Sequence, residues 1–235
     1  TCGADLRCLG GENFRTTFRN PGNIGDPFTG FSTVAFAIPP GQDGTALTPG
    51  DLMPGSTNFN NQNDGRLLFP DQERHSAFVL LSQDFGEGVK ILAEGRYTER
   101  NFENTFGGLG SRLFVFPSNP FFVDPFGGFP FVAVDYNFGP DLGPTTFNGN
   151  VKNYSAVLEG RVDLGGDWQV GAYGSYSKEE GENITTNQVD FLALNAALAD
   201  SDPTTAFNPF GDGSNTNPAT LDAIRKTEDQ VTNSE

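Results

Sequence analysis

Apolar and polar residues alternate with a period of two in the second half of the chain. From Tyr154 to Leu164 every second residue is apolar or glycine, and after three turn residues the alternation resumes at Trp168 and runs to Tyr176. The charged residues of the first stretch occupy the intervening positions, and the second stretch has no charged residue. Successive side chains of a β-strand point to opposite faces, so the pattern predicts two strands whose faces meet different surroundings. We place these strands at 154–164 and 168–180.

The same pattern occurs earlier in the chain, at 75–100, where Ser76 aligns with Ser155. It predicts a second hairpin, with strands at 75–85 and 89–101. A turn at 86–88 would set Asp84 opposite Lys90, and facing unlike charges stabilise a strand pair by ~0.2–1 kcal/mol.

The two hairpins together give one predicted apolar face of 21 positions, of which only Gln83 is polar. The first hairpin contributes Ala77, Val79, Leu81, Gln83, Phe85, Val89, Ile91, Ala93, Gly95 and Tyr97. The second contributes Tyr154, Ala156, Leu158, Gly160, Val162, Leu164, Trp168, Val170, Ala172, Gly174 and Tyr176.

Aromatic residues stand at both ends of this face, with Tyr97, Tyr154 and Tyr176 at one end and Trp168 at the other. Tyr176 lies eight positions after Trp168, a distance of about 20 Å across the membrane in a strand tilted by ~40°. An outer-membrane β-barrel has an apolar band roughly 25 Å tall between two aromatic girdles. The pattern therefore predicts an all-β, antiparallel transmembrane β-barrel fragment with these four aromatic residues at the membrane interfaces. His75 aligns with Tyr154 and is expected at an interface too.

The other segments, 1–74, 102–153 and 181–235, are predicted to be long extracellular loops. Both tight turns lie at the opposite end of the strands, and the loops are rich in proline, glycine and asparagine. Short strands are predicted at 14–18 and 31–38. No strand is predicted within 101–153, because its prolines interrupt every regular period. Its many phenylalanines either pack the loop against itself or line a ligand vestibule.

Two short helices are predicted in the third loop. The first, at 189–199, would place Phe191, Leu194 and Leu198 on one side. The second, at 219–226, would follow Asn217 as N-cap and Pro218 at the first helical position.

Charge and composition exclude several partner classes. The net charge of −16 argues against a nucleic-acid partner, because phosphate recognition needs clustered Lys and Arg. We ascribe the acidic excess mainly to solvated loops. No stretch approaches the 18 consecutive apolar residues of a transmembrane helix.

Candidate chemistry is sparse. Cys2 and Cys8 are predicted to form a small disulfide loop in an oxidising compartment; the alternative metal site lacks further ligands. The single His75 has no neighbouring cysteine and no G-x-S-x-G nucleophile. Residues 212–216 lack the acidic residue that completes a calcium loop. We therefore expect no catalytic, metal or cofactor site and no enzymatic activity.

Four stretches, at 72–100, 117–125, 154–180 and 193–225, resemble TonB-dependent receptors of the Gram-negative outer membrane. They read QERHSAFVLLSQDFGEGVKILAEGRYTER, PSNPFFVDP, YSAVLEGRVDLGGDWQVGAYGSYSKEE and ALNAALADSDPTTAFNPFGDGSNTNPATLDAIR. The resemblance covers most of the chain from Asp71 onward. It corresponds to an internal part of the barrel, without the plug domain and the TonB box, so transport by this chain alone is not expected.

The resemblance implies energised uptake of a scarce, bulky nutrient such as a siderophore, cobalamin or a glycan. Its partners would be outer-membrane lipid, the rest of the barrel, a plug domain through which the TonB complex acts, and the small-molecule or glycan ligand. Five residues of the polar face would point into the lumen and meet water, plug or ligand: Glu94, Arg96, Glu159, Arg161 and Tyr173.

The main alternative is a soluble or surface β-sandwich binding module, such as an adhesin or lectin. Such a module has loops of similar length at both ends of its strands. Here the tight turns share one end and the long loops share the other, which favours the barrel.

Overall fold

A computed structural model describes residues 15–61, 63–86 and 88–235. They form two compact units. The sheet unit comprises 67–104, 146–185 and 228–235, and the loop unit comprises the described residues up to Arg66 together with 105–145 and 186–227.

The described residues contain ten strands, three α-helices and two 3₁₀ turns. The strands are β1 (Asn23–Gly25), β2 (Val34–Ala37), β3 (Met53–Pro54), β4 (Asp71–Phe85), β5 (Val89–Thr105), β6 (Gly110–Val115), β7 (Val132–Asn137), β8 (Thr146–Gly165), β9 (Trp168–Val189) and β10 (Arg225–Ser234). The helices are α1 (Gly139–Leu142), α2 (Phe191–Ala199) and α3 (Pro218–Ile224), and the 3₁₀ turns are Pro27–Thr29 and Pro49–Asp51. Within the described ranges, no helix has the length and apolar character needed to cross a membrane.

The long strands form one open, antiparallel sheet in the order β10-β9-β8-β5-β4. The four strands predicted from the alternation are all present, which confirms the antiparallel β architecture. The fifth strand, β10, lies in a segment predicted to be loop. Apart from Val231 it carries almost no apolar residue, so it lacks the alternation by which strands are recognised. It forms one edge of the sheet, and β4 forms the other.

Glycines with positive φ close both long hairpins. Gly86 and Gly88 have φ of 66° and 117°, and Gly165 and Gly166 have φ of 91° and 63°. Only glycine adopts such backbone angles without steric cost. The first turn sets the register in which Asp84 pairs with Lys90, as predicted.

The loop unit has a second five-stranded sheet, in the order β3-β2-β1-β7-β6. Its central strands β1 and β7 come from distant parts of the chain and pair Asn23 with Asp135. A hydrophobic core draws on all three stretches of the unit. Its fully buried members include Ile24, Ile38, Val115, Val134, Tyr136, Phe138, Leu194, Phe207, Phe210 and Ile224.

The prediction that 101–153 contains no strand was wrong, because β5 continues to Thr105, β8 begins at Thr146, and β6 and β7 lie between them. Four prolines of this segment fall between β6 and β7, two more follow β7, and the six residues of each strand are free of proline. In β7, Val132, Ala133 and Val134 are all buried. An apolar run of this kind is typical of a strand covered on both faces, which shows no alternation.

The two short strands predicted near the start of the chain are only partly present. The one predicted at 31–38 is confirmed for Val34–Ala37. It begins late because Phe31 has a φ of 63°, a left-handed conformation that no strand accommodates. The strand predicted at 14–18 begins outside the described residues; within them, Thr16 forms a single bridge with Asn60.

Both predicted helices are present, with small corrections. Helix α2 begins at Phe191 because the Asp190 side chain caps the N–H groups of Leu192 and Ala193. Leu194 and Leu198 are buried as predicted, whereas Phe191 in the first turn is half exposed. Asn217 caps α3 through the N–H of Ala219, which confirms the predicted cap, but α3 ends at Ile224 and the next two residues begin β10.

Candidate functional site

The register between β4 and β5 places the predicted apolar residues of the first hairpin on one face. Directly paired residues of antiparallel strands share a face of the sheet. The pairs are Ala77 with Tyr97, Val79 with Gly95, Leu81 with Ala93, Gln83 with Ile91 and Phe85 with Val89.

A tyrosine contact extends this face to the second hairpin. The rings of Tyr97 on β5 and Tyr154 on β8 lie with their centroids 5.2 Å apart. Tyr176 of β9 lines the same shallow groove, of about 350 Å³. The alternate residues from Tyr154 and Tyr176 toward the β8–β9 turn therefore continue the apolar face.

This face is apolar and accessible. Leu81, Leu158 and Val170 are each more than half exposed. Soluble monomers rarely expose contiguous apolar patches beyond several hundred Å². These exposed residues do not belong to the hydrophobic core. The face is therefore a candidate contact surface.

Aromatic side chains lie at the two ends of the apolar face, as the sequence predicts. Tyr97, Tyr154 and Tyr176 form a row across β5, β8 and β9. Trp168 opens β9 beside the tight turn at the other end and is 76% exposed.

Beyond the tyrosines, the same face becomes polar. The Tyr97 hydroxyl donates to Oε2 of Glu99 at 2.9 Å, and the Asn150 amide donates to Oε1 of Glu99 at 3.1 Å. Lys152 Nζ lies 3.9 Å from the same carboxylate. His75 pairs with Glu99 across the strands, so it lies one pair beyond Tyr97 instead of level with the tyrosines.

The polar residues beyond the tyrosines, here called the polar rim, were not predicted, although the sequence pattern indicates them. Alternate positions continue past the tyrosines as Glu99 and Asn101 on β5, and as Lys152 and Asn150 on β8. Paired polar residues that extend an apolar alternation indicate a strand passing from one environment into another.

The five predicted lumen residues lie together on the opposite face. A Cβ at Gly171 would lie 3.6 Å from the Arg161 side chain, and one at Gly88 would lie 3.4 Å from Asp163. Since both glycines lie across a strand pair from these residues, alternate residues of β5, β8 and β9 share this face. They include Glu94, Arg96, Glu159, Arg161 and Tyr173.

Local charge pairs organise this second face. Arg96 lies 3.3 Å from Glu94 and above the Phe78 ring, with its guanidinium carbon 5.6 Å from the ring centroid. Arg161 hydrogen-bonds Glu159, and Tyr173 is 79% exposed. Phe78 and Leu80 are also exposed here, so the face is mixed rather than purely polar.

Two predictions about chemistry concern the cysteines and metal binding. Cys2 and Cys8 lie outside the described residues. Within the described ranges, no group of three His, Cys, Asp or Glu side chains is arranged to hold a metal ion.

Comparison of the chain with protein-family models, characterised proteins and solved structures finds no match.

Proposed function

We propose that the sheet unit is part of the wall of a transmembrane β-barrel, in a receptor of the TonB-dependent kind in the Gram-negative outer membrane. The observation that carries the proposal is the exposed apolar face, with a tyrosine row at one end and Trp168 at the other. Water makes such a face costly, at ~25 cal/mol per Å² of apolar surface. Acyl chains remove that cost.

The strand lengths suit this arrangement. Crossing a bilayer takes roughly 9–11 tilted residues, and β8 and β9 have 20 and 22 residues. The residues beyond those needed to cross the bilayer include the polar rim around Glu99, which would lie among the lipid headgroups or in water. The strands are therefore long enough to cross and to continue beyond the membrane.

The open edges imply further strands. Backbone groups cannot remain unpaired in lipid, so membrane sheets close into barrels. Strands β4 and β10 are the two edges of this sheet. Additional barrel strands are the partners that both edges require.

The mixed face would then line the lumen. Its charge pairs, Glu94 with Arg96 and Glu159 with Arg161, would meet water, a plug domain or the ligand. The segments between the long strands would capture the ligand, and a plug coupled to the TonB complex would admit it. The ligand class is a scarce nutrient such as a siderophore, cobalamin or a glycan, and we assign neither catalysis nor nucleic-acid binding to the protein.

One observation favours a second candidate, a soluble or surface binding module. The loop unit has its own sheet and a core built from its own residues, as an independent binding domain would. In that case another protein layer, not lipid, would cover the apolar face.

Trp168 provides the test, because it is the only tryptophan of the chain. The protein is refolded into vesicles whose lipids carry bromine either near the headgroup or deep in the acyl chain. We expect the fluorescence of Trp168 to be quenched mainly by the shallow bromines. In W168F/L158W the quenching should move to the deep bromines.

The matched control is W168F/V157W, which puts the probe on the mixed face one residue away. Its fluorescence should respond to aqueous iodide and only weakly to bromolipids. If the tryptophans at 157 and 158 respond alike to both quenchers, the sheet does not separate lipid from lumen, and the binding module becomes the better proposal.

A further inference from the structure

The loop unit contains an aromatic recess that the proposed barrel wall does not use. It has a volume of about 530 Å³ and lies between β6 and the first turns of α2. Small-molecule sites typically measure ~300–1,000 Å³ and combine aromatic walls with a few polar groups. The side chains that decide its chemistry are Arg112, Phe114, Phe116, Phe131, Phe191 and Asn195.

The phenylalanines of the recess are not needed to complete the core. Phe114, Phe116 and Phe191 are each about half exposed, at 47%, 48% and 48%. None of the three belongs to the core of the loop unit, which is filled by other residues. Three large apolar side chains around one concavity leave an apolar surface that a ligand could cover.

Ring contacts hold the aromatic wall in place. Phe114 and Phe131 meet edge to face, with centroids 5.4 Å apart and planes at 86°. Phe116 lies 5.8 Å from Phe131. Phe31 packs against both Phe114 and Phe131 from outside the recess. The wall therefore presents fixed ring faces and edges, which suit another aromatic ring better than a flexible aliphatic chain.

Among the described residues that line the recess, Arg112 is the only charged one, and it is already paired. Arg112 Nε donates to Oδ1 of Asp135 at 2.6 Å, and Nη2 donates to Oδ2 at 3.0 Å. Asp135 is buried, and it also accepts a hydrogen bond from the Thr17 hydroxyl at 2.8 Å. Because the carboxylate compensates the guanidinium, the recess has no net charge with which to attract an anion. Asn195 contributes an exposed amide at the rim.

We infer that this recess binds a small, uncharged molecule that carries an aromatic ring and a hydrogen-bonding group. The ring packs against Phe114, Phe116 and Phe191, and the polar group reaches Asn195 or the outer edge of the Arg112 guanidinium. The inference stands on the loop unit alone, so it does not depend on whether the apolar sheet faces lipid.

The test compares two probes that differ only in the ring. Benzamide and cyclohexanecarboxamide carry the same amide, but only the first is aromatic. Binding to the refolded full chain is measured by saturation-transfer NMR in mild detergent, with protein-free detergent as the blank, so the measurement does not require insertion into a bilayer. We expect benzamide to bind about three- to tenfold tighter, the range given by aromatic pairing beyond buried area. Equal binding, or no binding of benzamide, would overturn the inference.

Variants locate the site. F114A/F116A should reduce benzamide binding at least fivefold, and F191A alone should reduce it by a smaller factor. The matched control is F28A, which removes a phenylalanine that is 78% exposed and packs against Phe126 and Phe129, away from the recess. Unchanged binding in F114A/F116A and F191A, or equal losses in F28A, would place the ligand elsewhere. The quenching of Trp168 by bromolipids is measured on separate vesicle samples and reports the barrel proposal independently.

Discussion

Tyr97 and Tyr154 contact each other across neighbouring strands, with ring centroids 5.2 Å apart and ring planes at 43°, and this contact lies where the sheet changes from apolar to polar. Toward the tight turns, the shared face is apolar through Val79 and Leu158. In the other direction, the next residues are Glu99 and Lys152. A boundary marked by amphipathic rings is typical of a membrane interface, where the ring is apolar and the hydroxyl reaches water.

The first prediction concerns the two faces within the apolar band. In lipid vesicles, Leu158→Arg should destabilise the folded protein by about 2–4 kcal/mol, the cost of a cation near the bilayer midplane. Val157→Arg, on the mixed face, should cost less than about 1 kcal/mol. Guanidinium unfolding followed by Trp168 emission measures both variants, and equal costs would contradict the assignment of the faces.

The second prediction concerns Asp124 in the loop unit. Its carboxylate accepts hydrogen bonds from the N–H groups of Phe126, Gly128 and Phe129. Burial opposes ionisation, but these donors outweigh it and hold the pKa of Asp124 below its usual 3.8. Because its pKa is lower in the folded protein, the ionised Asp124 stabilises the fold, and this stabilisation is fully present above pH 3.8. It is lost as the pH falls below that value through the folded-state pKa.

Asp124→Asn should therefore weaken this loop by about 1 kcal/mol at neutral pH, a value discounted for its solvent exposure. Hydrogen exchange at the Gly128 and Phe129 amides, corrected for intrinsic rates, measures the loss. Asp167→Asn, in the β8–β9 turn, is the control. Protection of these two amides that is unchanged in Asp124→Asn would show that the carboxylate does not hold the loop.

The third prediction concerns Asp141, whose effect on the pH dependence of stability is opposite to that of Asp124. Tyr136 donates a 2.7 Å hydrogen bond to Asp141, and both side chains are buried. Burial raises the pKa of Asp141 above its usual 3.8 despite that hydrogen bond. The charged carboxylate is therefore disfavoured in the folded state, so the contribution of Asp141 to stability should rise as the pH falls through its folded pKa toward 3.8.

Asp141→Asn should remove this rise and leave stability at neutral pH equal to or above that of the parent chain, because the amide oxygen still accepts from Tyr136. Tyr136→Phe should cost about 1–3 kcal/mol at neutral pH, because the buried Asp141 carboxylate loses the hydrogen bond from Tyr136 and keeps the one from Ser214. Denaturant unfolding between pH 4 and 7 measures both effects. A parent chain and Asp141→Asn with parallel pH profiles would contradict the prediction.

The sequence predicts strand pairs well when the two strands are close together along the chain, and poorly when they are far apart. In the hairpins, local alternation and a glycine turn suffice to fix the register that pairs Asp84 with Lys90. In the loop unit, Asn23 pairs with Asp135, and no local pattern encodes a contact between segments so far apart. The apolar face and its aromatic ends were thus predictable. For the phenylalanines of 101–153 the sequence left two alternatives open, loop packing or a ligand vestibule, and it could not place the recess at Phe114, because the recess depends on strands and a helix from separate segments.

The fourth prediction is that Cys2 and Cys8 are joined when the protein matures in an oxidising compartment. Both cysteines lie in one short glycine-containing stretch, so closing the loop requires ordering few residues. Alkylation followed by intact-mass analysis should add two more alkyl groups after reduction than before it. Equal labelling of reduced and unreduced samples would exclude the disulfide.

The last prediction concerns the chain by itself. Its two sheet edges, β4 and β10, and its exposed apolar face both favour association in water. We expect the refolded chain to aggregate in plain buffer and to become monodisperse in detergent, as measured by light scattering. Leu81→Lys with Leu158→Lys should reduce the detergent bound per chain, whereas Leu80→Lys with Val157→Lys on the mixed face should not. A monodisperse monomer that binds no detergent would contradict the barrel proposal, because a lipid-facing band cannot remain uncovered in water.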